Sequence, residues 1–125
     1  MERNAIFTDK AAPIGAPYSQ AITYNGMMFC SGIVPMKPDG SLITGTIQEQ
    51  THQVLTNLTN LLEAAGTSTA KALKVNIFMR DMNDFKDMNE VYAQYFPDPK
   101  PARTAVQVAR LPLDVGVEIE CICAL

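Results

Sequence analysis

Apolar residues change their spacing along this chain, and the two spacings decide which elements it can form. Between positions 47 and 65 they recur every three or four residues, ending in LTNLTNLLEAAG, which is the period of an amphipathic helix. In KALKVNIFM they alternate from Leu73 to Met79, which is the period of a strand. Because each such element has an apolar side to bury, the chain must pack helices against a sheet.

Local signals mark the ends of two predicted helices. Thr46 and Glu49 form a Thr-x-x-Glu capping box, and Gly66 stands where a helix usually stops. A second helix begins at about Asn83 and ends before the proline-rich stretch PDPKP. Its apolar stripe consists of Phe85, Met88, Tyr92, Tyr95 and Phe96.

The remaining apolar segments predict strands around these helices. Asn25-Gly26 joins two strands and is the strongest short signal for a hairpin. Further strands are expected at 5–8, in KALKVNIFM, at 103–108 and at 117–124. The order β-β-β-α-β-α-β-β predicts one α+β domain over 1–125, a two-layer sandwich of a mixed six-stranded sheet and two helices.

Charge and composition exclude several classes of function. The net charge is -3 and no run of Lys or Arg occurs, so we do not expect nucleic acid as a partner. No apolar run reaches the length of a membrane span. The N-terminal MERNAIFTDK mixes acidic and basic residues, unlike a targeting sequence, and we expect a cytoplasmic protein.

Cysteine and histidine usage gives little support to a metal or disulfide. There are three cysteines and one histidine, and no Cys-x-x-Cys motif, so no metal site is predicted. Cys121 and Cys123 lie two apart on a predicted strand and are interpreted as small core residues. His52 is interpreted as a polar-face helix residue without a role.

Two charged residues interrupt the last two strands. Arg103 opens one strand, and Glu118 lies within the other. If the more apolar side of each strand faces the helices, Arg103 and Glu118 share the uncovered face of the sheet. Aromatic and methionine residues elsewhere on the sheet predict that self-association covers this face.

Each of these charges has two interpretations. Arg103 offers the planar donors that bind a carboxylate, but it also fits a structural ion pair or a solvated strand end. Glu118 fits a general acid/base that handles water, but also an exposed strand residue or the ion-pair partner of Arg103. Glu120 is the internal control, since it is the same residue type on the same predicted face.

Five further residues are weaker candidates for ligand binding. Tyr18 follows Pro17 at a predicted strand start and fits either a ligand contact or a half-buried strand tyrosine. Ser31 and Gly32 end a strand and fit either an anion-binding backbone or a plain turn. Phe85 and Asn89 lie one turn apart on the second helix, where core packing and surface exposure are the ordinary interpretations.

Long stretches of the chain resemble one family. PARTAVQVARLPLDVGVEIECICAL, IGAPYSQA, CSGIVP and KVNIFMRDMNDFKDMNEVYAQYF closely resemble the RidA-type reactive-intermediate deaminases, also called the YjgF family. The resemblance spans nearly the whole chain. It implies a chorismate-mutase-like α+β fold assembled as a homotrimer, with the three sheets forming a central barrel and ligand clefts between subunits.

The resemblance also implies an activity without metal or cofactor. This is the hydrolysis of 2-imino or 2-enamino acids, such as 2-aminoacrylate and 2-iminobutanoate, to 2-oxo acids and ammonia. Arg103 matches the arginine that clamps the substrate carboxylate, and Glu118 matches the acid that handles water and protons. The remaining matches are Tyr18, Ser31 and Gly32 in the pocket, with Phe85 and Asn89 supplied across the subunit interface.

Two positions depart from the family pattern. Ala105 replaces a cysteine that many members have after the arginine, and Ile33 replaces a glutamine that many have after Ser-Gly. The first removes a thiol from the site and the second alters the pocket. A ligand-sensing trimer without turnover, or the ribonuclease and translation-inhibitor activities described for some members, remain as alternatives.

Overall fold

The computed structural model describes residues 2–125 and has the predicted order of elements. The helices are α1 (Ile47–Ala64) and α2 (Phe85–Tyr92). The strands are β1 (Asn4–Ile6), β2 (Ala21–Tyr24), β3 (Met27–Cys30), β4 (Ala72–Met79), β5 (Ala102–Gln107) and β6 (Val117–Ala124). Three short 3-10 turns precede β4, α2 and β6.

The six strands form one mixed sheet in the order β1-β2-β3-β6-β4-β5. β4 and β5 pair in parallel, and the other neighbours pair antiparallel. Asn25 (φ 51°) and Gly26 (φ 75°) turn the chain between β2 and β3, which is the positive-φ pair that a tight hairpin requires. The predicted α+β sheet with two helices is confirmed.

The first helix forms as its capping signals predict. The hydroxyl of Thr46 accepts a hydrogen bond from the backbone N–H of Glu49 at 3.2 Å, and Gly66 has a φ of 79°. One face of α1 is buried against the sheet, including Leu55, Leu58 and Leu62. This packing makes α1 the main cover of the core.

Several element boundaries differ from the sequence prediction. β2 begins at Ala21, so Tyr18 lies in the preceding loop instead of at a strand start. α2 ends at Tyr92. Backbone hydrogen bonds between residues three apart follow it, such as that from the Tyr95 N–H to the Tyr92 carbonyl. This tight turn directs Phe96 into the core outside the helix.

The prediction that Arg103 and Glu118 share a sheet face is wrong within one chain. Val75 of β4, which is buried under the helices, is paired in register with Arg103 on one side and Cys121 on the other. Phe78 of β4 is paired with Glu118. Because side chains alternate between faces along a strand, Arg103 projects toward the helices and Glu118 toward the uncovered face.

The expected uncovered face is present and carries exposed apolar side chains. Phe29 of β3 and Val106 of β5 are each 42% exposed, and Phe78 and Ile122 are half-buried between them in the sheet. β5 is also an edge strand with one unpaired backbone side. No helix within residues 2–125 is long and apolar enough to cross a membrane.

Candidate active site

Arg103 is held by three side chains from one face of α2. Its Nη1 donates a hydrogen bond to Asn89 Oδ1 at 2.7 Å. The guanidinium carbon lies 4.8 Å from the ring centroid of Tyr92 and 5.4 Å from that of Phe85. Since positions 85, 89 and 92 are spaced one turn apart, the short helix presents all three to β5.

These residues border a concave region that we call the arginine pocket. It has a volume of about 300 Å³ and is lined by Asn89, Tyr92, Ala93, Lys100, Pro101 and Arg103. The Lys100 amine donates to the Phe96 and Ala93 carbonyls that follow α2. The pocket therefore presents the Arg103 guanidinium, which α2 holds in place, beside the ring of Tyr92.

No carboxylate among residues 2–125 pairs with the charge of Arg103. In the part of the chain that the structure describes, the one ion pair joins Arg110 and Asp114 at 3.5 Å, and both of these side chains are exposed. The interpretation of Arg103 and Glu118 as ion-pair partners in one chain is therefore wrong. Asn89 takes one of the guanidinium donors, and the others remain available to a planar anion.

Glu118 belongs to a second and larger concave region, the glutamate pocket. It has a volume of about 620 Å³, and its walls include Ile14, Tyr18, Gly32, Pro112, Leu113 and Glu118. Most of these groups are apolar. Burial raises the pKa of the Glu118 carboxyl, and the neighbouring charge of Glu120 raises it further.

Gly32 sets the position of the Glu118 side chain. A Cβ placed on Gly32 would lie 2.5 Å from Glu118 Oε2 and 2.8 Å from its carboxyl carbon. Any side chain at position 32 would therefore displace the carboxyl group. This close approach is a physical reason for glycine that the sequence motif did not reveal.

The other predicted residues on this side have mixed roles. Tyr18 is 49% exposed and lines the pocket from its loop. The Ser31 hydroxyl donates to the Ser19 carbonyl at 2.6 Å, which ties the end of β3 to that loop. Ser31 lines a small adjoining cavity together with Tyr18 and Gly32, so the sequence-predicted set Tyr18, Ser31, Gly32 and Glu118 is brought together.

Two pocket residues were missed by sequence reasoning. Leu113 is 60% exposed and has a φ of 58°, a left-handed conformation that is costly for leucine and often marks functional loops. No sequence pattern indicated it. Tyr92 was interpreted only as part of an apolar stripe, although its position seven residues after Phe85 places both on the face that carries Asn89.

Other reactive side chains do not form a site. His52 Nδ1 lies 2.9 Å from the Tyr95 hydroxyl on the outer surface of the helices. Burial raises the pKa of the Cys30 thiol to about 12 and also raises those of Cys121 and Cys123, which opposes thiolate chemistry. No metal-binding group of His, Cys, Asp or Glu side chains occurs among the residues described.

Comparison with known proteins gives a consistent result. The model of the family described as "Endoribonuclease L-PSP" matches residues 8–125. A RutC family protein of Pyrococcus horikoshii is 52% identical over 122 residues, 96% of each chain. The chloroplastic Reactive Intermediate Deaminase A of Arabidopsis thaliana is 42% identical over 126 residues, covering all of this chain and 67% of that protein.

Solved structures extend this similarity to the fold. The crystal structure of E. coli TdcF with bound serine superimposes with a TM-score of 0.92 at 38% identity, over 98% of both chains. That similarity covers both pockets, since they lie between residues 12 and 118.

Proposed function

Since this chain belongs to the Endoribonuclease L-PSP family, also called the YjgF/RidA family, we propose that it is a Rid-type deaminase. Its substrates are reactive 2-imino and 2-enamino acids such as 2-iminobutanoate and 2-aminoacrylate. A 2-enamino acid first moves a proton from nitrogen to C3 and becomes the 2-imino acid. Water then adds to the C=N carbon, and the resulting carbinolamine releases ammonia to leave a 2-oxo acid. A relative named Reactive Intermediate Deaminase A, 42% identical, supports this class of reaction.

The proposal rests on the contacts that the Arg103 guanidinium makes. The guanidinium is oriented by Asn89 and two rings, yet no carboxylate within residues 2–125 pairs with it. Such a group suits the carboxylate that every 2-imino acid carries, because the planar fork matches two carboxylate oxygens. The serine bound to TdcF is likewise an amino acid with a carboxylate.

Glu118 is assigned to water and proton handling. Its pKa is raised by burial, which brings the carboxyl closer to the neutral range where an acid/base group is most effective. Proximity to Gly32 places the carboxyl at the wall of the glutamate pocket. Imines hydrolyse readily in water, so binding and water positioning account for a modest lowering of the barrier.

The site requires two copies of the chain. Arg103 and Glu118 project from opposite faces of one sheet, so a single small substrate cannot meet both within one subunit. We propose a homotrimer whose clefts combine Arg103, Asn89 and Phe85 of one subunit with Tyr18, Gly32 and Glu118 of the next. The exposed apolar sheet face and the unpaired edge of β5 are surfaces suited to such an interface.

Mixed trimers test this arrangement directly. Arg103→Met and Glu118→Gln subunits, each nearly inactive alone at a 2-iminobutanoate concentration well below the wild-type KM, are unfolded together in equal amounts and refolded. In either kind of mixed trimer one of the three clefts receives both intact residues, so random mixing should restore about one quarter of wild-type activity toward 2-iminobutanoate. If both residues acted within one chain, the mixture would stay inactive, and the inter-subunit site would be wrong.

The family description also names an endoribonuclease activity. The net charge of -3 and the lack of a basic run do not favour binding to a polyanion, which needs a basic surface. Incubating the wild-type protein with a single-stranded RNA beside the imine assay separates the two functions. Cleavage of RNA that survives in both single variants would assign that activity to a different site.

A further inference from the structure

The ring of Tyr92 contacts both the guanidinium of Arg103 and the ring of Phe96. Its centroid is 4.8 Å from Arg103 Cζ and 4.6 Å from the Phe96 centroid, with an interplanar angle of 28° to Phe96. Tyr92 is 5% exposed and Phe96 1%. The cation is therefore stacked on an aromatic pair that is itself anchored in the core.

The hydroxyl of Tyr92 does not explain this placement. It is buried and has no hydrogen-bond partner among residues 2–125. Burial raises its pKa to about 12, against a smaller opposing effect of Arg103, so it stays protonated at neutral pH. The ring is the part of Tyr92 that interacts with the site, because its face meets the cation.

We propose that Tyr92 is a positioning residue, whose ring holds the Arg103 guanidinium in the orientation that receives a substrate carboxylate. This inference rests on the proposed function of Arg103. Asn89 restrains the guanidinium through one hydrogen bond at its edge. Tyr92 and Phe85 restrain it through cation–π contacts with their rings. Tyr92 acts through Arg103, since the tyrosine is 5% exposed and its hydroxyl is buried.

The physical gain is preorganisation. A free arginine side chain samples many rotamers, and ordering it upon ligand binding opposes affinity. Stacking on a buried ring removes part of that cost before the ligand arrives. Because the carboxylate is bound equally in substrate and transition state, loss of the ring should raise KM and leave kcat nearly unchanged.

Three variants test this inference. Tyr92→Leu removes the ring and should weaken 2-oxobutanoate binding and raise KM for 2-iminobutanoate by about three- to thirty-fold. Tyr92→Phe restores the ring without the hydroxyl and should recover affinity to within about two-fold of wild type. Tyr95→Leu is the matched control, since Tyr95 contacts His52 and Thr56 instead of Arg103.

Nuclear magnetic resonance gives a readout that does not depend on activity. Stacked on two rings, the Arg103 side-chain Nε–H and Cδ–H signals of the trimer should show ring-current shifts and contacts to Tyr92 ring protons. They should move toward the values of a free arginine in Tyr92→Leu and stay shifted in Tyr95→Leu. If Tyr92→Leu does not fold, the wild-type and Tyr92→Phe spectra still decide whether the stack exists.

Two results would overturn the inference. One is a wild-type Arg103 without ring-current shifts, and the other is Tyr92→Leu that folds and binds 2-oxobutanoate as tightly as Tyr95→Leu. Failure of the proposed function has a different signature, in which wild-type protein neither binds 2-oxobutanoate nor hydrolyses imine although the Arg103 signals show the stack.

Discussion

The arginine pocket and the glutamate pocket hold their charged groups by opposite means. Arg103 is supported by favourable contacts, namely one hydrogen bond to Asn89 and two aromatic rings. The Glu118 carboxyl occupies the space that a side chain at Gly32 would fill. Burial destabilises the ionised form of this carboxyl. A cation that always keeps its charge can be stacked on rings, whereas an acid whose proton must move benefits from desolvation.

This contrast separates binding from chemistry. Changes around Arg103 should alter affinity for any 2-oxo or 2-imino carboxylate, because in the proposed mechanism Arg103 holds a group that does not react. Changes around Glu118 should alter turnover, because in the proposed mechanism this carboxyl handles water and protons. The predictions below begin with the largest expected effect.

Glu118→Gln removes the acid and keeps the shape of the side chain. Turnover of 2-iminobutanoate should fall by about a hundred-fold or more, the usual contribution of a positioned acid/base group, while 2-oxobutanoate binding stays nearly intact. Steady-state kinetics and calorimetric titration measure the two quantities. Glu120→Gln is the control on the same strand face, and equal losses in both variants would assign a structural role to the acidic strand.

Gly32→Ala tests whether empty space positions Glu118. The added methyl would overlap the carboxyl group at 2.5 Å, and the side chain must swing away. A displacement on this scale should lower kcat by about a hundred-fold with little loss of thermal stability. Gly15→Ala is the matched control, since a methyl there meets no atom within 4 Å. Full activity in Gly32→Ala would show that the position of Glu118 is adaptable.

Arg103→Lys keeps the positive charge and removes the planar fork. We expect 2-oxobutanoate to bind roughly ten- to a hundred-fold more weakly, a loss of about 1.5–3 kcal/mol, with the oligomer unchanged. Arg110→Lys, at an exposed arginine paired with Asp114, should bind as wild type does. A trimeric Arg103→Lys that binds and turns over normally would return Arg103 to the role of a solvated strand-end residue.

The smallest effect concerns stability and pH. The folded-state pKa of Glu118 is raised above the ordinary glutamate value by burial and then by Glu120. The stability that this residue contributes is thus fully present below the unfolded pKa and is lost as pH rises through the folded pKa. Glu118→Gln should unfold at higher denaturant than wild type at pH 7, and this advantage should disappear in acid. An advantage independent of pH would contradict the assignment of burial as its cause.

The sequence by itself determined the order of the helices and strands and the buried side of β6. The capping residues Thr46 and Glu49 gave the start of α1, and the alternation of β6 correctly separated Glu118 from its buried neighbours. Such patterns are reliable where one side of an element is fully buried, because a polar residue there would be costly. The seven candidate site residues came from residue type, local position and the family resemblance, and their roles stay predictions.

Only the tertiary structure decided how those residues are grouped. β5 is an edge strand whose residues are mostly exposed on both faces, so its alternation does not report which side faces the helices. Its register against β4 places Arg103 on the same side of the sheet as Val75. There the Arg103 guanidinium packs against the rings of α2, on a face where aliphatic side chains were expected. Contacts of this kind join residues distant in sequence, and no local period encodes them.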